Sequence, residues 1–207
     1  MARVNNYLLQ VAQAQQYFLR YDQQALVQKL KLRHDEDYLY ATMLARQYRL
    51  NRKTGSLERQ NGAAWVDANT HGEYMTLLDL ICDSREDRYT TKRWKTLTSF
   101  GNMFHRDMIE SRDPFADRIQ RNPEAFRRAC EALRGTPEKI GDISYAIEVF
   151  DGLCICIRFW EEDEEFPPQV AWFWDENALM YLKYETMHFA VMLIKQSILE
   201  QMKNLTE

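Results

Sequence analysis

Residues 141–160 read Gly141-Asp-Ile-Ser-Tyr-Ala-Ile-Glu-Val-Phe150-Asp-Gly-Leu-Cys-Ile-Cys-Ile-Arg-Phe-Trp160. Successive side chains of a strand point to opposite faces, so Tyr145, Ile147 and Val149 share one face. Asp151-Gly152 is a two-residue sequence that favours a tight hairpin and pairs Phe150 with Leu153. The returning strand, 153–160, alternates Leu153, Ile155, Ile157 and Phe159 with Cys154, Cys156, Arg158 and Trp160. Both sets are mostly apolar, so this strand is expected in the centre of a sheet, covered on both sides. Residues 170–174 supply a third strand, and Asp175 is expected to cap the helix that follows. An antiparallel meander over 143–174, packed with N-terminal, middle and C-terminal helices, places the chain in the α+β class.

Upstream, Leu8, Val11, Ala12, Ala14, Phe18 and Leu19 recur at helical spacing up to Arg20. Asp22 is placed to cap a second short helix carrying Ala25, Leu26 and Leu30. Residues 38–43 and 46–50 are rich in β-formers, and Lys53-Thr-Gly55 offers a turn, so a small antiparallel ribbon is expected. Residues 60–71 look like a loop; Tyr74, Leu77, Leu78 and Ile81 then restore a helical period. The stretch 84–113 is polar and poorly periodic, with Trp94, Phe100 and Phe104 as isolated aromatics. Pro114, following Asp113, opens a helix traced by Phe115, Ile119, Phe126, Ala129, Cys130 and Leu133. It ends at Gly135 and has a bend expected at Asn122-Pro123. From Asn177 to Met202 the chain is apolar almost all round until about Ile194, fitting one or two helices packed on the sheet.

The whole, 207 residues with 45% apolar and 28% charged side chains, has an ordinary globular composition and is read as one domain, 1–207. The longest uncharged apolar stretches, 153–157 and 187–194, are too short to cross a bilayer. The first residues run into an amphipathic pattern instead of a secretory signal, so a cytoplasmic location is expected. Cys82, Cys130, Cys154 and Cys156 show none of the short paired spacings of zinc or iron–sulfur sites and are expected to be structural thiols. The net charge of −4 is unevenly spread: 10 basic and 5 acidic residues in 1–60, 13 of each in 61–140, and 4 basic against 13 acidic in 141–207. The basic charges of the front end do not alternate with aromatics, which argues against nucleic acid. They are balanced by the acidic end, either within a monomer or across a homo-oligomer interface.

Several of these features together resemble the domain of unknown function 3786 family, found in bacteria and archaea. Its pattern is matched by Gly141-Asp142, the hairpin, Trp160-x-x-Asp163-x-Glu165-Phe166-Pro167, Phe173-Trp174-Asp175 and Tyr181-Leu182 before Glu185. Trp94, Arg46 to Leu50, and Asn122-Pro123-Glu-Ala-Phe126 fit as well. A departure is the turn Phe150-Asp-Gly-Leu153, where the pattern carries proline. The resemblance implies no mechanism and leaves open whether the chain is an enzyme. Some members are joined to a cysteine-rich iron–sulfur segment similar to one in corrinoid methyl-transfer proteins, which implies anaerobic one-carbon or redox metabolism. This chain has no closely spaced set of four cysteines, so such a link would run through a partner.

The acidic run Glu161-Glu-Asp163-Glu-Glu165, framed by Trp160 and Phe166, suits a protein partner or a small cationic ligand. It lacks the glycine bend of a calcium loop. Arg158, in a buried strand, needs a counter-charge. Glu148, opposite Ile155 in the expected register, would make a structural ion pair; otherwise Arg158 receives the carboxylate or phosphate of a ligand. Glu185-Thr-Met-His188 places two metal-ligand types on one helix face, but a di-iron bundle needs a second copy, which the chain lacks. His71-Gly-Glu73 resembles the start of a zinc deaminase signature without its Pro-Cys-x-x-Cys. His34 and His105 are read as surface residues. No phosphate-binding glycine loop, dinucleotide fingerprint or nucleophile elbow occurs. The leading expectation is therefore a non-catalytic accessory protein binding through Arg158, Trp160, Asp163, Glu165 and Phe166, with Trp94. The alternative is an enzyme or cofactor carrier linked to corrinoid or iron–sulfur metabolism, with the cofactor itself unspecified.

Overall fold

The computed structural model describes residues 6–68, 70–101 and 114–204; Phe104, His105 and Asp113 lie outside the described residues. Among the described residues the chain forms six α-helices and two antiparallel five-stranded sheets, an α+β fold. It divides into two compact units, residues 1–88 with 180–190 and residues 89–179 with 191–207.

In the first unit, α1 (Asn6–Phe18) leads to α2 (Gln23–Leu30), whose first turn is capped by Asp22 accepting from the Gln24 and Ala25 amides at 2.9 and 3.1 Å. The sheet follows as a meander of β1 (Arg33–His34), β2 (Tyr38–Met43), β3 (Arg46–Asn51), β4 (Leu57–Asn61) and β5 (Ala64–Asp67), and α3 (His71–Cys82) closes it. The presence of β5 corrects the reading of 60–71 as loop. Gly62, at φ +59°, starts a turn that pairs Asn61 with Ala64, and the four residues Ala64–Asp67 are too few to display a period. Leu39, Ala41, Met43, Tyr48, Leu50 and Leu57 form the buried face of the sheet, and Leu77, Leu80 and Ile81 are the buried side of α3. On the opposite face the Arg49 guanidinium lies 4.3 Å from the Tyr38 ring and 4.7 Å from Trp65, while Arg33 covers Tyr40 at 4.1 Å.

The second unit holds β6 (Trp94–Thr96), α4 (Pro114–Arg121), α5 (Pro123–Ala132), β7 (Thr136–Pro137), β8 (Ile143–Phe150), β9 (Leu153–Trp160) and β10 (Gln169–Asp175), in sheet order β6-β10-β9-β8-β7. The meander is thus present and β9 is its central strand, with Leu153, Ile155, Ile157 and Phe159 fully buried. Asp151 and Gly152 both adopt positive φ, 48° and 82°, as a type I′ turn requires, and Phe150 pairs with Leu153. The bend at Asn122-Pro123 is a full break into two helices: the Asn122 side chain caps α5 through the Ala125 amide at 3.0 Å. At Gly135 a Cβ would lie 2.8 Å from the Cys130 carbonyl oxygen, so only glycine lets the chain leave α5 this closely. One sheet face packs on these helices: Phe115 stacks on Trp172 at 5.9 Å and meets Phe126 edge-on at 6.1 Å, and Phe126 approaches Phe159 at 6.4 Å. Rings at such spacings add about 0.5–1.5 kcal/mol per pair beyond their buried area. Helix α6 (Tyr184–Asn204) is a single helix; its first seven residues belong to the first unit and the remainder to the second. No helix among the described residues is long and apolar enough to cross a membrane.

Candidate functional site

The acidic loop leaves the end of β9. Gly141, at φ +93°, runs so close to that strand that a Cβ would sit 2.9 Å from the Phe159 carbonyl oxygen. This approach brings the Asp142 carboxylate to the loop, where it accepts from the Glu161 amide at 2.8 Å. Gln120 accepts from the Glu162 amide at 3.3 Å. Asp163 turns its own oxygen inward, accepting from the Glu165 and Phe166 amides at 2.8 and 2.7 Å, while its amide donates to the Phe166 carbonyl at 3.0 Å. The loop is therefore a defined turn, and Asp163 organises it in the way Asx turns do. Residues 161–165 are all exposed, and Phe166 keeps 56% of its surface in solvent.

Arg158 and Trp160 lie on one face of β9, both half-buried, next to this loop. The Arg158 guanidinium is 4.2 Å from the Phe173 ring centre, and its buried Nε has no hydrogen-bond partner among the described residues. Glu148 is not its counter-charge. A bulge between Glu148 and Phe150 shifts the register so that Glu148 faces Cys154 instead of Ile155, and its Oε1 accepts from the Gly152 amide at 2.9 Å. Trp94 is on the same sheet face but pairs with Asp175, at the level of Cys154, so it stands about 13 Å along the strands from Arg158. The structure thus gathers Arg158, Trp160, Asp163, Glu165 and Phe166 at one end of the sheet and leaves Trp94 toward the other. Cys154 and Cys156 share that face too; burial pushes the Cys154 thiol up to about 11 and raises Cys156 as well.

The first unit contains a feature with no counterpart in the sequence reading. A cavity of about 540 Å³ opens among α1, α3 and the start of α6, floored by Met75, Leu78 and Phe189. On its wall the Lys183 ammonium is held between Asp79 Oδ1 at 2.8 Å and Asp83 Oδ2 at 2.5 Å, and the Lys183 amide donates to Asp79 Oδ2 at 2.7 Å. The Tyr21 hydroxyl donates to Asp83 Oδ1 at 2.7 Å. Burial lifts the Asp79 carboxyl above its ordinary value against the pull of Lys183. Burial acts upward on Asp83 too, but the hydrogen bonds from Lys183 and Tyr21 prevail and hold it below. Burial alone would weaken the Lys183 ammonium; the two carboxylates outweigh it and raise its affinity for the proton. Asp79 and Asp83 stand four residues apart, a spacing that aligns both on one side of a helix, and this was the one available signal. Lys183 is 100 residues away.

Glu185 lines this cavity, whereas His188 lies against Phe189 with ring centres 6.3 Å apart. Among the described residues no three His, Cys, Asp or Glu side chains are grouped to hold a metal ion. His71 also lines the cavity, its ring 4.9 Å from Phe189 and 5.0 Å from Tyr7, and burial lowers its affinity for a proton. Glu73, its neighbour in the truncated deaminase pattern, is buried in a hydrogen-bond network beneath the sheet.

Among curated proteins and among solved structures nothing matches this chain. A family model described as Domain of unknown function (DUF3786) matches residues 22–197, and this span takes in the ribbon, both sheets and most of α6. The chain belongs to the DUF3786 family.

Proposed function

We propose that the chain is a cytoplasmic, non-catalytic binding protein that docks a cationic partner segment on the loop 161–165, with Phe166, Trp160 and Arg158 beside it. The observation that carries this reading is a run of five exposed carboxylate residues on a turn fixed by its own hydrogen bonds and ending in an exposed phenylalanine. A turn ordered in advance loses little entropy on binding, and clustered carboxylates speed the encounter with a basic segment. Phe166 supplies the apolar anchor that separates recognition from mere attraction of charge. We take residues 1–207 to act as one domain, a reading supported by the family match running through both compact units.

A fluorescein-labelled peptide of alternating lysine and leucine, followed by anisotropy, tests this. Joint replacement Glu162→Gln, Glu164→Gln and Glu165→Gln keeps Asp163 and hence the turn, and is expected to weaken binding at least about tenfold. Phe166→Ala should weaken the leucine-containing peptide and leave a lysine–serine counterpart unaffected. Unchanged affinity in both variants would overturn the reading.

A further inference from the structure

We infer that the cavity of the first unit is a separate binding site for a small organic ammonium compound, whose charged nitrogen meets Glu185 and whose apolar body rests on Met75, Leu78 and Phe189. At about 540 Å³ the cavity is of the size that small-molecule sites occupy. Its floor is apolar and its rim polar, the arrangement that buries the body of a ligand and orients its polar end.

The sign of the ligand follows from the charges on the wall. Asp79, Asp83 and Glu185 face a single cation, Lys183, which is already bound by the first two. Lys183 is thus already neutralised, and an anionic ligand would meet a wall whose carboxylates outnumber its one cation three to one. The Glu185 side chain makes no hydrogen bond or ion pair with any described residue, is exposed and lines the cavity. A cation therefore finds a carboxylate that is not otherwise engaged.

His71 gives the second, independent mark of a ligand. Its Nε2 is buried and has no hydrogen-bond partner among the described residues, a state that is unfavourable unless a partner arrives. Burial keeps the imidazole neutral, so it offers a hydrogen bond without repelling a cation. Two N–H groups of one ammonium, directed at Glu185 and His71, would meet both needs, with the Phe189 and Tyr17 rings at hand for the cation's face. An inorganic cation would use the carboxylates but not the apolar floor.

Calorimetric titration with tryptamine and with indole-3-propionate, which carries a similar ring and the opposite charge, decides the matter. Tryptamine is expected to bind saturably with Kd of about 0.1–1 mM, and indole-3-propionate not at all. Glu185→Gln, an exposed and structurally mild change, should weaken tryptamine at least about tenfold. His71→Phe should weaken it by a smaller factor. The triple glutamine variant of the loop 161–165 should bind tryptamine like the unaltered chain, so the two sites fail or stand independently. No saturable binding up to about 10 mM, equal binding of both compounds, unchanged affinity in Glu185→Gln, or displacement of tryptamine by equimolar Mg²⁺ would each overturn the inference.

Discussion

The Tyr48 hydroxyl donates to Glu73 Oε1 at 3.0 Å, joining the middle strand of the first sheet to the first turn of α3. The same oxygen accepts from Arg59 Nη1 at 2.9 Å, and Oε2 accepts from the Thr70 hydroxyl at 2.8 Å, while Thr70 in turn caps the Glu73 amide. Glu73 is 1% exposed, so these donors take the place of water around its carboxyl group. Truncation strands three donors, one of them a cation, around a hole. Glu73→Ala is expected to lower the unfolding free energy by about 3 kcal/mol, the lower end of the range for breaking a buried pair because Arg59 is 29% exposed and can regain water. Glu73→Gln, which keeps one acceptor, should cost roughly half as much. Urea unfolding followed by tryptophan fluorescence measures both, and equal stability of Glu73→Ala and the unaltered chain would contradict the network.

Alkaline pH should destabilise the fold from about pH 9 upward. Burial pushes the Cys82 thiol from 9.0 up to about 12, and burial aided by Glu73 raises the Tyr48 phenol. Burial, with the hydrogen bonds to Tyr17 and Asp83, raises Tyr21. In each case the folded value lies above the unfolded one. As pH passes the unfolded value the unfolded chain releases a proton that the fold retains, so unfolding becomes easier. The stabilisation is complete below the unfolded values and disappears as pH climbs through the folded ones. Lys183 acts in the same sense from about pH 10.5, with a small share because its side chain is 57% exposed. Urea midpoints between pH 8 and 11 should fall steadily, and Cys82→Ala should make the fall above pH 9 shallower without abolishing it, because burial raises the Cys130, Cys154 and Cys156 thiols as well. A flat profile to pH 11 would contradict these shifts.

How much of this was legible depended on whether the determining contacts were local. The hairpin 143–160 was readable because alternation and Asp151-Gly152 are neighbours in sequence, and the observed pairing of Phe150 with Leu153 follows from them. Its one misreading, Glu148 opposite Ile155, came from a bulge of a single residue, which leaves no trace in a two-residue period. The break at Asn122-Pro123 was announced by residues that cap and start helices. Glu73 was visible only as part of a failed enzyme signature, because Tyr48 and Arg59 reach it from 25 and 14 residues away. The Asp79–Lys183–Asp83 cluster was hidden for the same reason: it is closed by a lysine 104 residues from its first carboxylate. The acidic run 161–165 could be read at once as charge, but not that Asp163 turns inward to build the loop.

Arg49 offers a test of the aromatic face of the first sheet. Its guanidinium lies between Tyr38 and Trp65 and makes a two-pronged bond to Glu58, Nε to Oε2 at 2.6 Å and Nη2 to Oε1 at 3.1 Å. Lysine keeps the charge but has neither the flat face nor the fork. Arg49→Lys is expected to cost about 1 kcal/mol and to shift the Trp65 contribution to the emission spectrum as water replaces the guanidinium. An unchanged melting midpoint and spectrum would show that the stack contributes nothing.

Asp175 should fasten the segment before β6 to the end of β10. It is 1% exposed; Oδ2 accepts from the Thr91 and Lys92 amides at 2.8 and 2.6 Å, and Oδ1 accepts from Asn177 at 2.9 Å. The expected cap on the following residues is thus present in part, but two of the three amide donors come from more than 80 residues upstream. Lys92 sits at φ +57°, a conformation that costs a lysine about 1 kcal/mol and persists here because the carboxylate holds its amide. Hydrogen bonds to a charged acceptor contribute about 1.5–3 kcal/mol, and removing this acceptor leaves three donors with partial access to water. Asp175→Ala is expected to cost about 3 kcal/mol and Asp175→Asn about half of that. Amide hydrogen exchange separates a local from a global effect: Thr91 and Lys92 should exchange about a hundredfold faster in Asp175→Ala, because local release needs only these bonds to break. The Ile155 amide, in the central strand, should change only as far as global stability does. Equal acceleration at all three amides would mean that Asp175 stabilises the unit as a whole and does not specifically hold the 91–93 segment.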